Sequence, residues 1–295
     1  YVQEAASMFI AQAYKIIEST FSTGKAMESP LKMLDLCAAP GGKSTLWRSL
    51  LPDEALLVAN EPIRQRAQIL AENLTKLGHP HTFVTQAFPD AFTGLEDTFD
   101  IIATDVPCSG EGMFRKDEQA REEWSPAAVI SCADRQRDIL TSVWPALKEG
   151  GFCVYSTCTF NREENEDLVA WACDTLGAEL VEIPTDPACN IAGDTTGRNL
   201  PVYHFFPHRT EGEGLFLALL RKKKGEMFND RRKLQILLDA REGNGRKRGA
   251  KSSVKPNATL LSWLHNAEDF TFQCSEAGVW TAVPTAFVGI REQLA

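Results

Sequence analysis

The stretch Leu34-Asp35-Leu36-Cys37-Ala38-Ala39-Pro40-Gly41-Gly42-Lys43-Ser44-Thr45 passes from apolar through small to helix-forming residues. Lys32 to Leu36 is a short apolar run, the residues to Gly42 are small, and Ser44 to Leu51 has a helical pattern. Together they predict a strand, a tight loop and a helix start. The free N–H groups at such a helix start favour an anionic or polar ligand held close to the backbone. Gly42-Lys43-Ser44 matches the end of a phosphate-cradling loop, but that pattern requires glycine at position 37, where this chain has Cys37. A nucleoside triphosphate is therefore not the expected ligand. Glu61 stands 19 positions after Gly42, near the offset at which doubly wound folds set a carboxylate on ribose hydroxyls. It suits equally the first turn of a helix opened by Pro62.

Outward from this loop, short apolar runs alternate with helical patterns, the signature of a mostly parallel α/β sheet. Strands are expected at Lys32 to Leu36, Ala55 to Asn60, Thr82 to Thr85, Asp100 to Thr104, Phe152 to Ser156, Glu179 to Ile183 and Leu215 to Leu220. Helices are expected at Glu4 to Ile17, Ser44 to Leu51, Pro62 to Leu77, Ala127 to Leu147 and Arg162 to Leu176. Pro145 should bend or end the fourth helix, and Asn161 with Glu164 forms a capping box for the fifth. After Lys224 the pattern changes to a short helical run, Arg231 to Ala240, and a Gly/Arg/Lys/Ser-rich stretch from Glu242 to Ser253. Trp263, Phe270, Phe272, Trp280 and Phe287 follow among alternating residues. The expected organisation is a catalytic domain over 1–224, a basic linker over 225–253 and the start of a small strand-rich module over 254–295.

The 295 residues, 43% hydrophobic, allow one substantial core plus a smaller appendage. No run of about 18 apolar residues or basic-then-apolar leader occurs, so neither a membrane span nor a secretion signal is expected. The start at Tyr1, within an apolar-periodic stretch, leads to the expectation of a longer natural protein. Eight cysteines without a C-x-x-C pair or a His pair at zinc spacing point to free thiols in a reducing cytoplasm rather than metal. A net charge of -9 weighs against a polyanion as partner, although Arg221 to Lys224, Arg231-Arg232 and Arg246 to Lys251 concentrate positive charge in the last third.

Thr104-Asp105-Val106-Pro107-Cys108-Ser109-Gly110-Glu111-Gly112 follows the fourth strand, and Tyr155-Ser156-Thr157-Cys158-Thr159 follows the fifth. Ligands of open α/β sheets bind outside the carboxyl ends of the strands, so Asp105, Cys108 and Cys158 should converge on the crevice beside the glycine loop. A lone strand-end cysteine is usually a small buried hydrophobe; two in one crevice point to thiol chemistry. One reaction that needs a thiol is methylation of cytosine at C5. That carbon attacks a sulfonium methyl only after a nucleophile has added at C6, and a thiolate suits the addition. Asp105 can hydrogen-bond the cytosine edge, as the acid or through the exocyclic amine. A base must then take the C5 proton, for which Cys108 is a candidate.

These elements resemble the Nol/Nop/Sun family of RNA cytosine-C5 methyltransferases. Asp35 to Thr45 is similar to its cofactor loop, Asp105 to Cys108 to its Asp-x-Pro-Cys element, and Thr157-Cys158 to its Thr-Cys element. Pro107 to Lys116, Tyr155 to Glu166, Pro207-His208 and Glu213 to Phe216 are similar to the bacterial RsmF-like branch, which acts on small-subunit ribosomal RNA. The resemblance spans Tyr1 to about Lys224. It implies a Rossmann-like class I methyltransferase fold, a seven-stranded, mostly parallel sheet with helices on both faces. It also implies S-adenosyl-L-methionine as cofactor, held by Cys37, Ala38, Ala39, Pro40, Gly41, Gly42, Lys43, Glu61 and Asp105. Cys158 would form the adduct at C6 and Cys108 would assist its breakdown, whereas DNA cytosine methyltransferases attack with the Pro-Cys thiol.

The implied partner is ribosomal RNA or the assembling small subunit, and the same reaction on transfer RNA is the alternative. A catalytically silent RNA-binding scaffold would be marked by loss of Cys158, Asp105 or the glycine loop, and all are present. A cytoplasmic monomer without metal is expected. The family's branch adds an N-terminal RNA-contacting extension, which this sequence lacks, and a C-terminal RNA-binding module, of which 254–295 is the beginning. Two positions depart from the family: Gln86 or a shifted Asp90 stands where an adenine-holding Asp is usual, and Val106 replaces Ala. Glu163, Glu164 and Glu166 are expected to be a solvated first helical turn. His204 and His208 should be structural or RNA-contacting, and Arg115 and Lys116 either contact phosphate or lie free on the surface.

Overall fold

The computed structural model describes residues 3–22, 29–225, 256, 258–262, 264, 266–274 and 278–294, and the chain divides into two compact units, Tyr1–Arg231 and Arg232–Ala295. In the first unit one sheet contains β1 (Lys32–Asp35), β2 (Leu56–Asn60), β3 (Thr82–Thr85), β4 (Phe99–Asp105), β5 (Leu147–Thr157), β6 (Ala178–Leu180), β7 (Val202–Phe205) and β8 (Leu215–Lys222). Their spatial order is β3-β2-β1-β4-β5-β8-β6, with β7 also paired to β8. β1 to β5 run parallel, and β8 runs antiparallel beside β5. The chain leaves β1 towards β2 and later returns to β4 on the other side, so the order reverses between β1 and β4. At such a switch point the loops after the two strands diverge and open a crevice.

The sheet has eight strands in place of the expected seven because its outer lane is in two pieces. β6 pairs with the Leu220–Lys222 end of β8, and β7 with its Leu215–Ala218 end. The expected strand over Glu179 to Ile183 is thus only its first part, cut short before Pro184. β5 also begins at Leu147, five residues earlier than the expected Phe152. The Glu149-Gly150-Gly151 turn signal is absorbed as an irregularity in the pairing with β4, whose register shifts between Phe99 and Ile101.

The helices are α1 (Ile10–Ser22), α2 (Gly42–Leu50), α3 (Arg64–Leu77), α4 (Glu118–Glu123), α5 (Pro126–Val143) and α6 (Glu166–Leu176). α1 starts later than the expected Glu4 because the Glu4 carboxylate accepts the Ser7 N–H at 2.7 Å and caps a short 3-10 turn, Ala6–Phe9. α5 is ended by Pro145, which lies in the 3-10 turn Trp144–Ala146. Much of the core lies where α1 and α2 meet the sheet: Tyr14 meets Trp47 edge-on with ring centres 6.3 Å apart, and Phe9 packs on Tyr203 and Phe205. Burying each such side chain stabilises the fold by about 1.5–3 kcal/mol. A second cluster sets Leu70 and Leu74 of α3 against Ala38 and Ala59, which anchors the loop after β1 from below.

The second unit contains α7 (Ala258–Leu261), the antiparallel hairpin of β9 (Phe270–Cys274) and β10 (Trp280–Pro284), and α8 (Thr285–Leu294). Phe270, Phe272 and Trp280 lie in the hairpin, whereas Phe287 is buried in α8, so the last of the expected strand aromatics is helical. The run Arg231 to Ala240, the basic stretch beyond Gly225 and Trp263 lie outside the described residues. No helix among the described residues is long and apolar enough to cross a membrane.

Candidate active site

The loop after β1 turns at Gly41, whose φ of 111° lies in the left-handed region and where a Cβ would come within 3.2 Å of Leu70 Cδ1. Only glycine takes that conformation without strain. α2 begins at the next residue, and Ser44 in its first turn donates to Asp35 Oδ2 at 2.6 Å. Burial pushes the Asp35 carboxyl up to about 7, with the Asp105 charge adding and the Ser44 hydrogen bond opposing. Burial likewise pushes the Cys37 thiol well up.

Above this loop is a cavity of about 200 Å³ lined by Cys37, Ala38, Ala39, Pro40, Gly42, Lys43 and Asp105, together with Gln3, Glu4 and Ser7. Gln3 is tied to α2 through its Nε2, which donates to Thr45 Oγ1 at 3.0 Å. Glu4 and Ser7, expected within a helix from Glu4 to Ile17, are cavity wall ahead of α1. Small side chains form the floor, and two carboxylates, Glu4 and Asp105, and the Lys43 ammonium stand on the wall, a polarity that fits a ligand carrying an amino-acid head group.

Glu61 is buried at the end of β2 and is not part of this wall. Its Oε1 accepts the Ile63 N–H at 3.0 Å, and its Oε2 lies 3.3 Å from Arg66. Both contacts serve the start of α3. Gln86 and Asp90 are exposed, with Gln86 reaching the Pro62 carbonyl, and neither borders the cavity.

Asp105 joins the two halves of the crevice. Its Oδ2 accepts from Lys43 Nζ at 2.9 Å and its Oδ1 from Ser156 Oγ at 2.8 Å. Burial pulls the Lys43 ammonium down, but the Asp105 carboxylate outweighs it and holds Lys43 above its ordinary value. Beyond Asp105, Cys108 Sγ and Cys158 Sγ stand 3.2 Å apart, both free thiols. The contact with Cys108 holds the Cys158 thiol below its ordinary value, against burial and the Asp105 charge and with help from Lys43. The same contact, with burial, pushes Cys108 well up. Of the two, Cys158 is thus the more readily ionised thiol.

The Cys158 loop is pinned by Asn165, which is fully buried: Thr157 Oγ1 donates to its Oδ1 at 2.7 Å, and its Nδ2 donates to Thr159 O at 3.0 Å. The expected solvated turn at Glu163, Glu164 and Glu166 is corrected here, since Glu164 and Glu166 are wholly buried. Half of the capping box is present, with the Glu164 N–H donating to Asn161 Oδ1 at 3.0 Å. The Glu164 side chain instead turns inward and accepts the Ser109 N–H. Glu166 accepts from His204 Nε2 at 2.9 Å and Thr195 Oγ1 at 2.6 Å. Burial would raise its pKa, but these bonds lower it to about 2. His204 is buried and stacked on Phe206, a structural position away from the thiols. Arg115 is exposed, and Lys116 pairs with Glu213 at 3.4 Å.

A sheet in this order with a small-residue loop at its switch point defines the class I methyltransferase fold. The crystal structure of NSun6 from Pyrococcus horikoshii with SFG shares it, with a TM-score of 0.62 at 29% identity over 76% of this chain and 53% of that one. The crystal structure of PH0851 gives a TM-score of 0.62 at 25% identity over 75% of this chain and 47% of that one. Residues 26–221 match the family model described as 16S rRNA methyltransferase RsmB/F, and the chain belongs to that family. It is similar to ribosomal RNA small subunit methyltransferase F of Vibrio parahaemolyticus, 33% identical over 281 residues that make up 95% of this chain and 55% of the relative. The enzyme of the same name from Escherichia coli O157:H7 is 37% identical over 226 residues, 75% of this chain and 44% of the relative. The chain spans about half the length of the curated relatives it matches.

Proposed function

We propose that the chain transfers a methyl group from S-adenosylmethionine to C5 of a cytosine in small-subunit ribosomal RNA, with Cys158 as the nucleophile. The observation that carries this reading is the pair of thiols 3.2 Å apart, joined through Ser156 to the Asp105–Lys43 wall of the cavity. The ribosomal substrate is supported by the family and by the names of its relatives. The cofactor is supported by the polarity of the cavity and by the methyltransferase relatives. It would rest on the floor from Cys37 to Lys43, with Lys43 and Asp105 facing its amino-acid end, and it supplies an electrophilic sulfonium methyl.

The chain's own groups do the rest. The target base leaves its stack to enter the crevice. The Cys158 thiolate adds to C6, and the electrons of the C5–C6 double bond move towards N3 and make C5 nucleophilic. Asp105 accepts the exocyclic amine and fixes the ring beside the thiols. After C5 has gained the methyl, its proton is lost to a base, the C6–sulfur bond breaks, and the thiolate is regenerated. Cys108, in contact with the sulfur that departs, assists this last step.

The test is Cys158→Ala against Cys108→Ala, assayed with tritiated S-adenosylmethionine on small subunits. Cys158→Ala abolishes transfer and leaves no covalent RNA adduct on denaturing gels, whereas Cys108→Ala accumulates the adduct. The opposite pattern would reverse the assignment, and label recovered at a position other than C5 would remove it.

A further inference from the structure

Two carboxylates tie the cysteine loops together, each rooted in one loop and gripping the backbone of the other. Glu111, in the Cys108 loop, accepts the N–H groups of Phe160 at 2.7 Å and Asn161 at 3.1 Å on Oε2, and the Trp124 indole N–H at 3.0 Å on Oε1. Glu164, beyond Cys158, accepts the Ser109 N–H at 3.0 Å, Gln136 Nε2 at 2.7 Å and Asn161 Nδ2 at 2.8 Å. Gln136 is itself buried and fixed, donating to Pro107 O at 2.9 Å and accepting from the Tyr155 hydroxyl at 3.0 Å. Every one of these partners of Glu164 is a donor, so the position requires an acceptor-only group, which an ionised carboxylate is and an amide is not.

We propose that Glu111 and Glu164 are positioning residues of the thiol pair: their reciprocal brace holds the two sulfurs in contact, and the buried Glu164 carboxylate on the Cys108 side makes the two thiols unequal. This rests on the reading of the two thiols as the reacting pair. After the contact with Cys158 and burial, the Glu164 charge is among the causes that push Cys108 up. The other groups facing the pair are Lys43 from α2, which favours the Cys158 thiolate, Asp105 from β4, which opposes it, and Tyr155 from β5. Lys43 and Glu164 therefore act from opposite sides and in the same sense. Carboxylates with buried, fully donated hydrogen bonds are expensive to place, and nothing in the packing of an ordinary helix start requires them.

The brace is tested by Glu111→Gln, Glu164→Gln and Glu164→Asp in the full chain, with two thiol readouts that need neither RNA nor cofactor. The first is the rate at which diamide takes up the two thiol hydrogens as the Cys108–Cys158 bond forms, a measure of sulfur contact. All three variants are expected to slow it at least tenfold. The second is the division of iodoacetamide label between the two cysteines near neutral pH, read by peptide mass spectrometry. All three variants are expected to reduce the preference for Cys158 at least severalfold, Glu164→Gln the most because it loses the Glu164 charge as well as the contact, whereas Glu164→Asp and Glu111→Gln retain that charge. In methyl transfer, kcat falls while KM stays within about twofold. Folded variants that melt lower yet keep wild-type cross-linking and labelling would overturn the proposal. Should Glu164→Gln not fold, unchanged cross-linking in Glu111→Gln does the same. If Cys158→Ala still methylates while the thiol readouts change as stated, the brace stands and the reaction assignment falls.

Discussion

Gly112→Ala isolates how closely the two cysteine loops must pack. The backbone of Gly112 is not in the left-handed region, so alanine is conformationally acceptable there and the substitution tests space alone. A Cβ would lie 2.6 Å from Cys158 O and 2.9 Å from Glu213 O, both backbone atoms that no rotamer change can move aside. Ordinary van der Waals contact begins at 3.4 Å, so the Cys158 carbonyl must retreat by about 0.8 Å and the Glu213 carbonyl by about 0.5 Å. The Gly112 N–H donates to the same Cys158 carbonyl at 2.7 Å, and the retreat lengthens that bond beyond useful range. Overpacking of this kind costs about 1–3 kcal/mol, and the weakened bond adds about 1 kcal/mol. For a unit of this size, 2 kcal/mol lowers Tm by about 4–8 °C. A sulfur displaced by most of an ångström costs about 100-fold in rate. Calorimetry and single-turnover methyl transfer should therefore show a modest loss of Tm beside a loss of about two decades in kcat. Wild-type kcat in a destabilised Gly112→Ala would refute the claim that this packing places Cys158.

Asn165→Ala removes the group that pins the Thr157-Cys158-Thr159 loop from inside and leaves Thr157 Oγ1 and Thr159 O without their partner; a loss of about 2–4 kcal/mol by urea unfolding is expected, and a value below 1 kcal/mol would mean that the loop is held by its flanks. Lys43→Gln removes a charge that lowers the Cys158 thiol, so the acid limb of the methyl-transfer pH profile should move towards higher pH, and an unmoved limb would contradict it. Asp35 has a folded-state pKa raised to about 7. Its contribution to stability is therefore complete at pH values below its unfolded pKa and is lost as pH rises through about 7. Asp35→Asn should gain on the wild type over that window, by up to about 4 kcal/mol, and parallel Tm profiles between acid and alkaline pH would remove the argument.

The parts of this fold legible in the sequence are those whose causes are local. Leu34 to Thr45 declares itself because an apolar run, a glycine turn and a helix start are adjacent, and the convergence of Asp105, Cys108 and Cys158 follows from strand order. β7 carried a usable signal, Val202-Tyr203-His204-Phe205 between Pro201 and Pro207, a β-branched and aromatic run bounded by breakers. The early start of β5 did not, because Gly150-Gly151 reads as a turn. Gly151 is there because a Cβ would sit 2.9 Å from both Asp100 O in the neighbouring strand and Lys148 O in its own. Glu164 and Glu166 were misread for the same reason. Acidic residues at a helix start are ordinarily solvated, and what buries these two are donors far along the chain: Ser109, Gln136, Thr195 and His204. Gln3, Glu4 and Ser7 reach the cavity only because α1 starts at Ile10.

Asp105 shows how the cofactor side and the thiol side of the crevice are made to answer to each other. An ionised carboxylate has about four acceptor sites; Lys43 occupies one on Oδ2 and Ser156 one on Oδ1. Lys43 belongs to the helix that follows the glycine turn, and Ser156 leads through Thr157 to Cys158. A base whose exocyclic amine used the Oδ1 side would be registered against Cys158 through two residues of extended strand, the stiffest connection available. Lys43, held by Oδ2, would at the same time be kept within range to favour the Cys158 thiolate. Asp105→Asn puts a donor in place of one acceptor, and whichever oxygen is replaced, either Lys43 or Ser156 meets a donor. The loss should therefore appear in kcat, through the register of the base against Cys158, more than in cofactor affinity. Isothermal titration with sinefungin alongside kcat measurement separates the two. A variant that lost cofactor binding and kept kcat at saturation would confine Asp105 to the cofactor side.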